Sequence, residues 1–155
     1  MQGKSGLYLA IFLIFIANTE FFSQEHNIWD TVKETSWHYL DNWTGGIVTF
    51  FETNDGDKMA IWQMCGSGLL VTGSFLFRIS IENNKLLFFF HEFGIKEQNP
   101  AYIYVFDKKS NILRPEQGFD VLFFFSSDPW VGNRGERIPI DELKREDYSR
   151  LDLLD

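Results

Sequence analysis

From Thr35 onward, short runs rich in aromatic and β-branched residues are interrupted again and again by Gly, Asn, Asp and Ser, the pattern of strands joined by tight turns. Gly46 to Glu52 and Lys58 to Cys65 flank Thr53-Asn54-Asp55-Gly56-Asp57, in which Gly56 can take the positive φ that a hairpin turn needs. Leu69 to Glu82 follows, and in its second half Phe75, Phe77, Ile79 and Ile81 alternate with Leu76, Arg78, Ser80 and Glu82, as in a strand with one wet face. Gly73 within this run predicts a bulge or a corner where the sheet curls. Asn83-Asn84 turns the chain into Lys85 to Phe93. Further strands are expected at Ala101 to Asp107, Ile112 to Arg114 and Asp120 to Ser126, separated by Lys108 to Asn111 and by Pro115-Glu116-Gln117-Gly118.

With Trp37 to Leu40 included, about eight strands follow one another without a long amphipathic helix to make parallel crossovers. The expected fold is all-β, an antiparallel meander that closes as an up-and-down barrel or folds over as a sandwich. After Trp130 the character changes: Gly132 to Gly135 reads as a loop, and the segment from about 138 to Asp155 is strongly charged. Ile140, Leu143, Leu151 and Leu154 lie near one helical stripe with Asp141 as N-cap, which predicts a short C-terminal helix against the outside of the sheet.

The N-terminus has a different pattern. Lys4 precedes an apolar stretch from Leu7 to Ala17, and Asn18, Thr19 and Glu20 break it. This is the profile of a signal peptide over residues 1 to 23, cleaved after Ser23 or Thr19; the stretch is shorter than the roughly 20 residues of a membrane-spanning helix. Residues 24 to 34 then form a lead segment, and 35 to 155 a single β domain. The product is expected in the periplasm or outside the cell, with no stable membrane anchor after cleavage.

Composition narrows the partners. The chain of 155 residues carries a net charge of −8, which argues against binding nucleic acid. Cys65 is the single cysteine, so neither a disulfide nor a Cys-rich zinc site holds the fold; it reads as a small buried hydrophobe. No catalytic group emerges. His26, His38 and His91 make no metal-ligand pair, Cys65-Gly66-Ser67-Gly68 lacks the glycine that a nucleophile turn requires two residues before the serine, and Glu92, Glu97, Asp107 and Asp120 could pair across strands as glycosidase carboxylates, although the sequence does not fix their separation. No metal and no cofactor is implied. Asn42-Trp43-Thr44 is a formal glycosylation sequon.

The phenylalanines carry the remaining signal. Seventeen Phe with five Trp and five Tyr give an aromatic content of 17%, and the runs Phe88 to Phe90 and Phe123 to Phe125 place rings on both faces of their strands. Both faces then need cover: a core inside, and outside the terminal helix, another subunit or another molecule. Alternatively the inner rings line a cavity, since the mouths of β-barrels are common small-molecule sites. Candidate liners are Trp62, Phe75, Phe77, Phe89, Tyr102 and Tyr104, with Trp37 at the barrel entrance or plugging its floor.

The export signal, the early Trp37 and the hairpins Ser74 to Phe90 (SFLFRISIENNKLLFFF) and Ala101 to Leu113 (AYIYVFDKKSNIL) resemble the layout of small lipocalin-like proteins exported by bacteria, over roughly residues 35 to 126. Thr35-Ser36-Trp37 stands where a lipocalin's first strand carries G-x-W. The resemblance implies an antiparallel barrel with a ligand cavity and no catalytic machinery. Two functional expectations follow: a non-enzymatic binding protein for an apolar or amphipathic small molecule, or a module that docks a protein partner through an aromatic face, its interior simply filled.

Overall fold

The structure, a computed structural model, describes residues 28–40, 45–66, 71–91, 99–133 and 136–143. The expected signal peptide, His26, the Asn42 sequon, Ser67, Glu92, Glu97 and the tail from 144 lie outside the described residues. Eight antiparallel strands, β1 (Ser36–Leu40), β2 (Gly45–Glu52), β3 (Lys58–Cys65), β4 (Val71–Glu82), β5 (Lys85–Phe90), β6 (Tyr102–Asp107), β7 (Ile112–Gln117) and β8 (Phe123–Ser126), pair in sequence order. Strand β8 returns to β1 through Trp37 opposite Phe125, which closes the barrel. Of the two architectures open to the sequence, the barrel is the one formed.

Turn chemistry follows the residues. Gly56 takes φ 87°, and Asn83 and Asn84 take 47° and 66°, the pair of left-handed residues that a two-residue hairpin of the right twist requires. The glycine at 73 sits beside a bulge: Met64 faces Gly73 but Cys65 faces Val71, leaving Thr72 as the extra residue, which bends the strand as such insertions do. Strand β7 departs from expectation. It runs on through Pro115 to Gln117, where a turn was expected, and the register slips there: Tyr104 faces Pro115 and Ile103 faces Gln117, leaving Glu116 as the extra residue of a bulge beside the proline, where a missing N–H is tolerated.

A consequence appears in β8. Only Phe123 and Phe124 pair with β7, and residues 118–122 leave the sheet, although the sequence reads as a strand from Asp120. The β7 to β8 seam is therefore closed at one end and open at the other.

The two ends of the barrel differ. Helix α1 (residues 28–32) lies at the end where β1 begins, with Ile28, Trp29 and Val32 joining the interior core. Trp29 Nε1 donates to Glu52 Oε2 at 2.7 Å, and its ring meets Phe50 edge-on. The tight turns after β2, β4 and β6 lie at this closed end. Strands β1, β3, β5 and β7 finish at the other end, where the 118–122 segment connects β7 to β8.

The outer wall is covered over part of its surface. A second sheet pairs β9 (Trp130–Asn133) with β10 (Glu136–Pro139), where the sequence reads as a loop, and α2 (Ile140–Leu143) follows it. Val131, Ile138, Ile140 and Leu143 pack on Phe51, Met59, Ile61 and Leu76 of β2, β3 and β4. The outward apolar face is thus buried by the C-terminal segment, as expected of a helix there, with a hairpin supplying half of the cover.

Candidate functional site

Strand alternation sends every second side chain inward. Trp37, Val48, Phe50, Ala60, Trp62, Phe77, Phe88, Tyr104, Phe106 and Phe123 form one buried cluster, with Phe75, Phe90 and Tyr102 packed against it. Ring contacts run throughout: Trp62 lies with its centroid 5.0 Å from Tyr102 and 5.1 Å from Phe123, and Phe77 lies 5.6 Å from Phe88. Most meet edge to face, the arrangement favoured by the ring quadrupole. Each fully buried ring of this kind stabilises the fold by about 1.5–3 kcal/mol.

Six of the seven expected liners therefore face the barrel interior, where they pack against one another. Trp62, Phe75, Phe77, Tyr102 and Tyr104 come together. Trp37 is inside but near the closed end, where its Nε1 donates to Thr35 Oγ1 at 2.9 Å and its ring abuts Phe106. Phe89 does not line the interior. It falls between inward Phe88 and Phe90, faces Arg78 across the ladder and lies on the outer wall beneath the Arg78 guanidinium at 5.3 Å. The acidic candidates stay apart: Asp107 begins the β6 to β7 turn at the closed end, whereas Asp120 stands at the open end.

Where the 118–122 segment leaves the sheet, it opens a groove of about 530 Å³ at the barrel mouth. Tyr39, Met64, Cys65, Thr72, Phe119, Asp120, Val121, Leu122 and Phe124 line it. Four of these, Met64, Phe119, Leu122 and Phe124, are also large hydrophobic side chains left exposed, each by roughly two fifths. Asp120 is the one charged side chain among the described lining residues. Cys65 is buried in the groove wall, and burial pushes its thiol pKa up.

Phe119 joins groove and core. It follows Gly118 at φ 97°, its carbonyl accepts a hydrogen bond from Tyr104 Oη at 3.1 Å, and its ring lies 5.9 Å from Trp62 and 6.0 Å from Tyr39. Beneath it, Trp62 Nε1 is a buried donor with no hydrogen-bond partner among the described residues. Burial, more than the neighbouring acids Tyr102, Tyr39 and Asp120, raises the Tyr104 phenol well above its ordinary pKa.

The groove was not anticipated from the sequence, because Met64 sits in a strand that reads as core and Asp120-Val121-Leu122 continues an apolar run. The one signal is Gly118, which ends β7 in a left-handed conformation. Among the described residues no group of His, Cys, Asp and Glu is placed to hold a metal ion, and no helix is long and apolar enough to cross a membrane. Comparison with protein-family models, curated proteins and solved structures finds no match for the chain.

Proposed function

We propose that the protein is an exported, non-enzymatic binding protein that takes an apolar or amphipathic small molecule in the groove at the mouth of its barrel. The observation that carries this is the coincidence of a 530 Å³ concavity with four exposed large hydrophobic side chains. Such a volume falls in the usual range of small-molecule sites, roughly 300–1,000 Å³, and a mostly apolar wall with few polar groups is their usual lining. Because Phe50, Phe77, Phe88 and Tyr104 are buried against one another inside the barrel, the ligand is assigned to the groove at the mouth. The lipocalin-like layout supports the same reading, and the apolar stretch after Lys4 supports export.

A second reading rests on the rings packed inside the barrel and on Phe124, an exposed ring on the outer wall: a protein partner docks on this aromatic face. Native mass spectrometry of protein expressed from the full gene in an exporting host and purified without detergent separates the two. An added mass of a few hundred daltons, released on activation, is expected. A bare monomer moves the weight to the docking reading, and retention of residues 1 to 23 contradicts export.

A further inference from the structure

Trp62 is 95% buried, since its relative exposure is 5%, yet its Nε1–H has no acceptor among the described residues. Buried donors are almost always paired, and one left unpaired is costly unless something else meets it. Its position locates what could. A Cβ built on Gly46 would lie 3.0 Å from Nε1 and 2.4 Å from Cε1 of Tyr39, so the donor edge of the indole faces β2 beside Tyr39, and Tyr39 is a wall of the groove. Among the described residues that line the groove, Tyr39 and Phe119 touch the Trp62 indole, with ring centroids 6.5 and 5.9 Å away. Of these, Tyr39 is buried and Phe119 is 47% exposed, so the Phe119 ring is the part that can swing away at little cost in packing.

The groove also restricts the ligand's charge. The described lining residues include no Lys, Arg or His to neutralise an anion, and Asp120 repels one; the whole chain carries −8. An acceptor arriving at an indole N–H through such a mouth is best neutral.

Resting on the binding reading above, we infer that the ligand is a neutral apolar molecule with a carbonyl-type acceptor, which displaces the Phe119 ring and accepts a hydrogen bond from Trp62 Nε1.

The test uses methyl heptyl ketone, its isostere with =CH2 in place of the carbonyl oxygen, and nonanoate, each titrated into the nitrogen-labelled full chain. Nitrogen–proton correlation spectra resolve the indole N–H groups, and Trp62→Phe identifies the Trp62 signal by its loss. The ketone is expected to bind about tenfold more tightly than the isostere and to move the Trp62 indole proton downfield, whereas the isostere binds without that shift. Trp62→Phe should abolish the preference while still binding both molecules. Equal affinities with an unmoved Trp62 signal overturn the inference and leave the groove as a binding site. Tightest binding by nonanoate overturns the assigned ligand class. No binding of any of the three overturns both the inference and the reading it rests on. The wild-type shift decides the matter even if Trp62→Phe does not fold.

Discussion

The side-chain amide of Gln63 makes a two-way hydrogen bond with the backbone of Gly132, 69 residues along the chain: the Gly132 N–H donates to Gln63 Oε1 at 2.7 Å, and Gln63 Nε2 donates to the Gly132 carbonyl. A glutamine on the outer wall of the barrel thus replaces one rung of a β ladder and pins β9 against β3. Close by, Trp130 N–H donates to Ser36 Oγ at 3.2 Å, and Thr49 Oγ1 donates to the Trp130 carbonyl at 2.9 Å. Three buried polar side chains on the barrel therefore satisfy backbone groups of the covering hairpin.

Replacing Gln63 with Ala leaves both Gly132 groups without partners in a dry interface. The expected loss is about 2–3 kcal/mol of unfolding free energy, read from urea denaturation. Gly132→Ala should act in the same direction, by about 1–3 kcal/mol, because its Cβ would come within 2.7 Å of the Trp130 ring and 2.9 Å of Val71.

Floor and mouth should respond differently to loss of a ring. Trp37 is fully buried at the closed end, and Trp37→Ala is expected to cost about 3–5 kcal/mol through the cavity it leaves. Phe119→Ala removes a half-exposed ring and should cost under about 1.5 kcal/mol. Thermal and urea unfolding of the two variants check the contrast; equal losses would place Phe119 in the core.

Asp107 provides an acid-sensitive latch on the β6 to β7 turn. Its carboxylate accepts hydrogen bonds from the Ser110 hydroxyl, the Ser110 and Lys109 backbone N–H groups and Arg114 Nε. The Ser110 bonds, first of all, lower its pKa from 3.8 to about 2. A carboxyl depressed in the folded state contributes stability above its unfolded pKa and loses it as pH falls toward the folded value. Asp107→Asn should therefore flatten the pH dependence of stability between about pH 4 and pH 2, and carboxyl NMR titration should place Asp107 near the low end of that window.

Tyr104 gives the alkaline counterpart. Because burial raises its pKa in the folded state, the neutral phenol's contribution is intact below the unfolded value of 10 and is lost as pH rises toward the folded one. Spectrophotometric titration should show the Tyr104 phenolate appearing only together with unfolding, and Tyr104→Phe should remove that step.

The alternation in Phe75 to Glu82, the Asn-Asn and Gly56 turns and the bulge beside Gly73 were legible because each is a local consequence of backbone geometry. The direction of each ring was less so. Phe88 and Phe89 are chemically identical in sequence, and only the register against β4 decides that the first is inside and the second lies under Arg78. The β9 to β10 hairpin escaped notice because Gly132-Asn133-Arg134-Gly135 reads as a loop, and the strand at β9 depends on the distant Gln63. The groove escaped for a similar reason. It exists because a bulge carries β7 past Pro115, and the resulting failure of residues 118–122 to pair is a tertiary effect.

The central claim, that the barrel mouth is a small-molecule site, is tested most directly by fluorescence titration with phenylnaphthylamine, a neutral apolar probe that brightens in apolar surroundings. The wild-type chain is expected to bind one probe saturably in the micromolar range. The double variant Met64→Asp with Leu122→Asp, altered only at exposed groove walls, should bind at least about tenfold more weakly, a loss of about 1.4 kcal/mol, while keeping the wild-type unfolding midpoint. Absence of saturable binding by the wild type, or undiminished binding by a folded double variant, would contradict the claim.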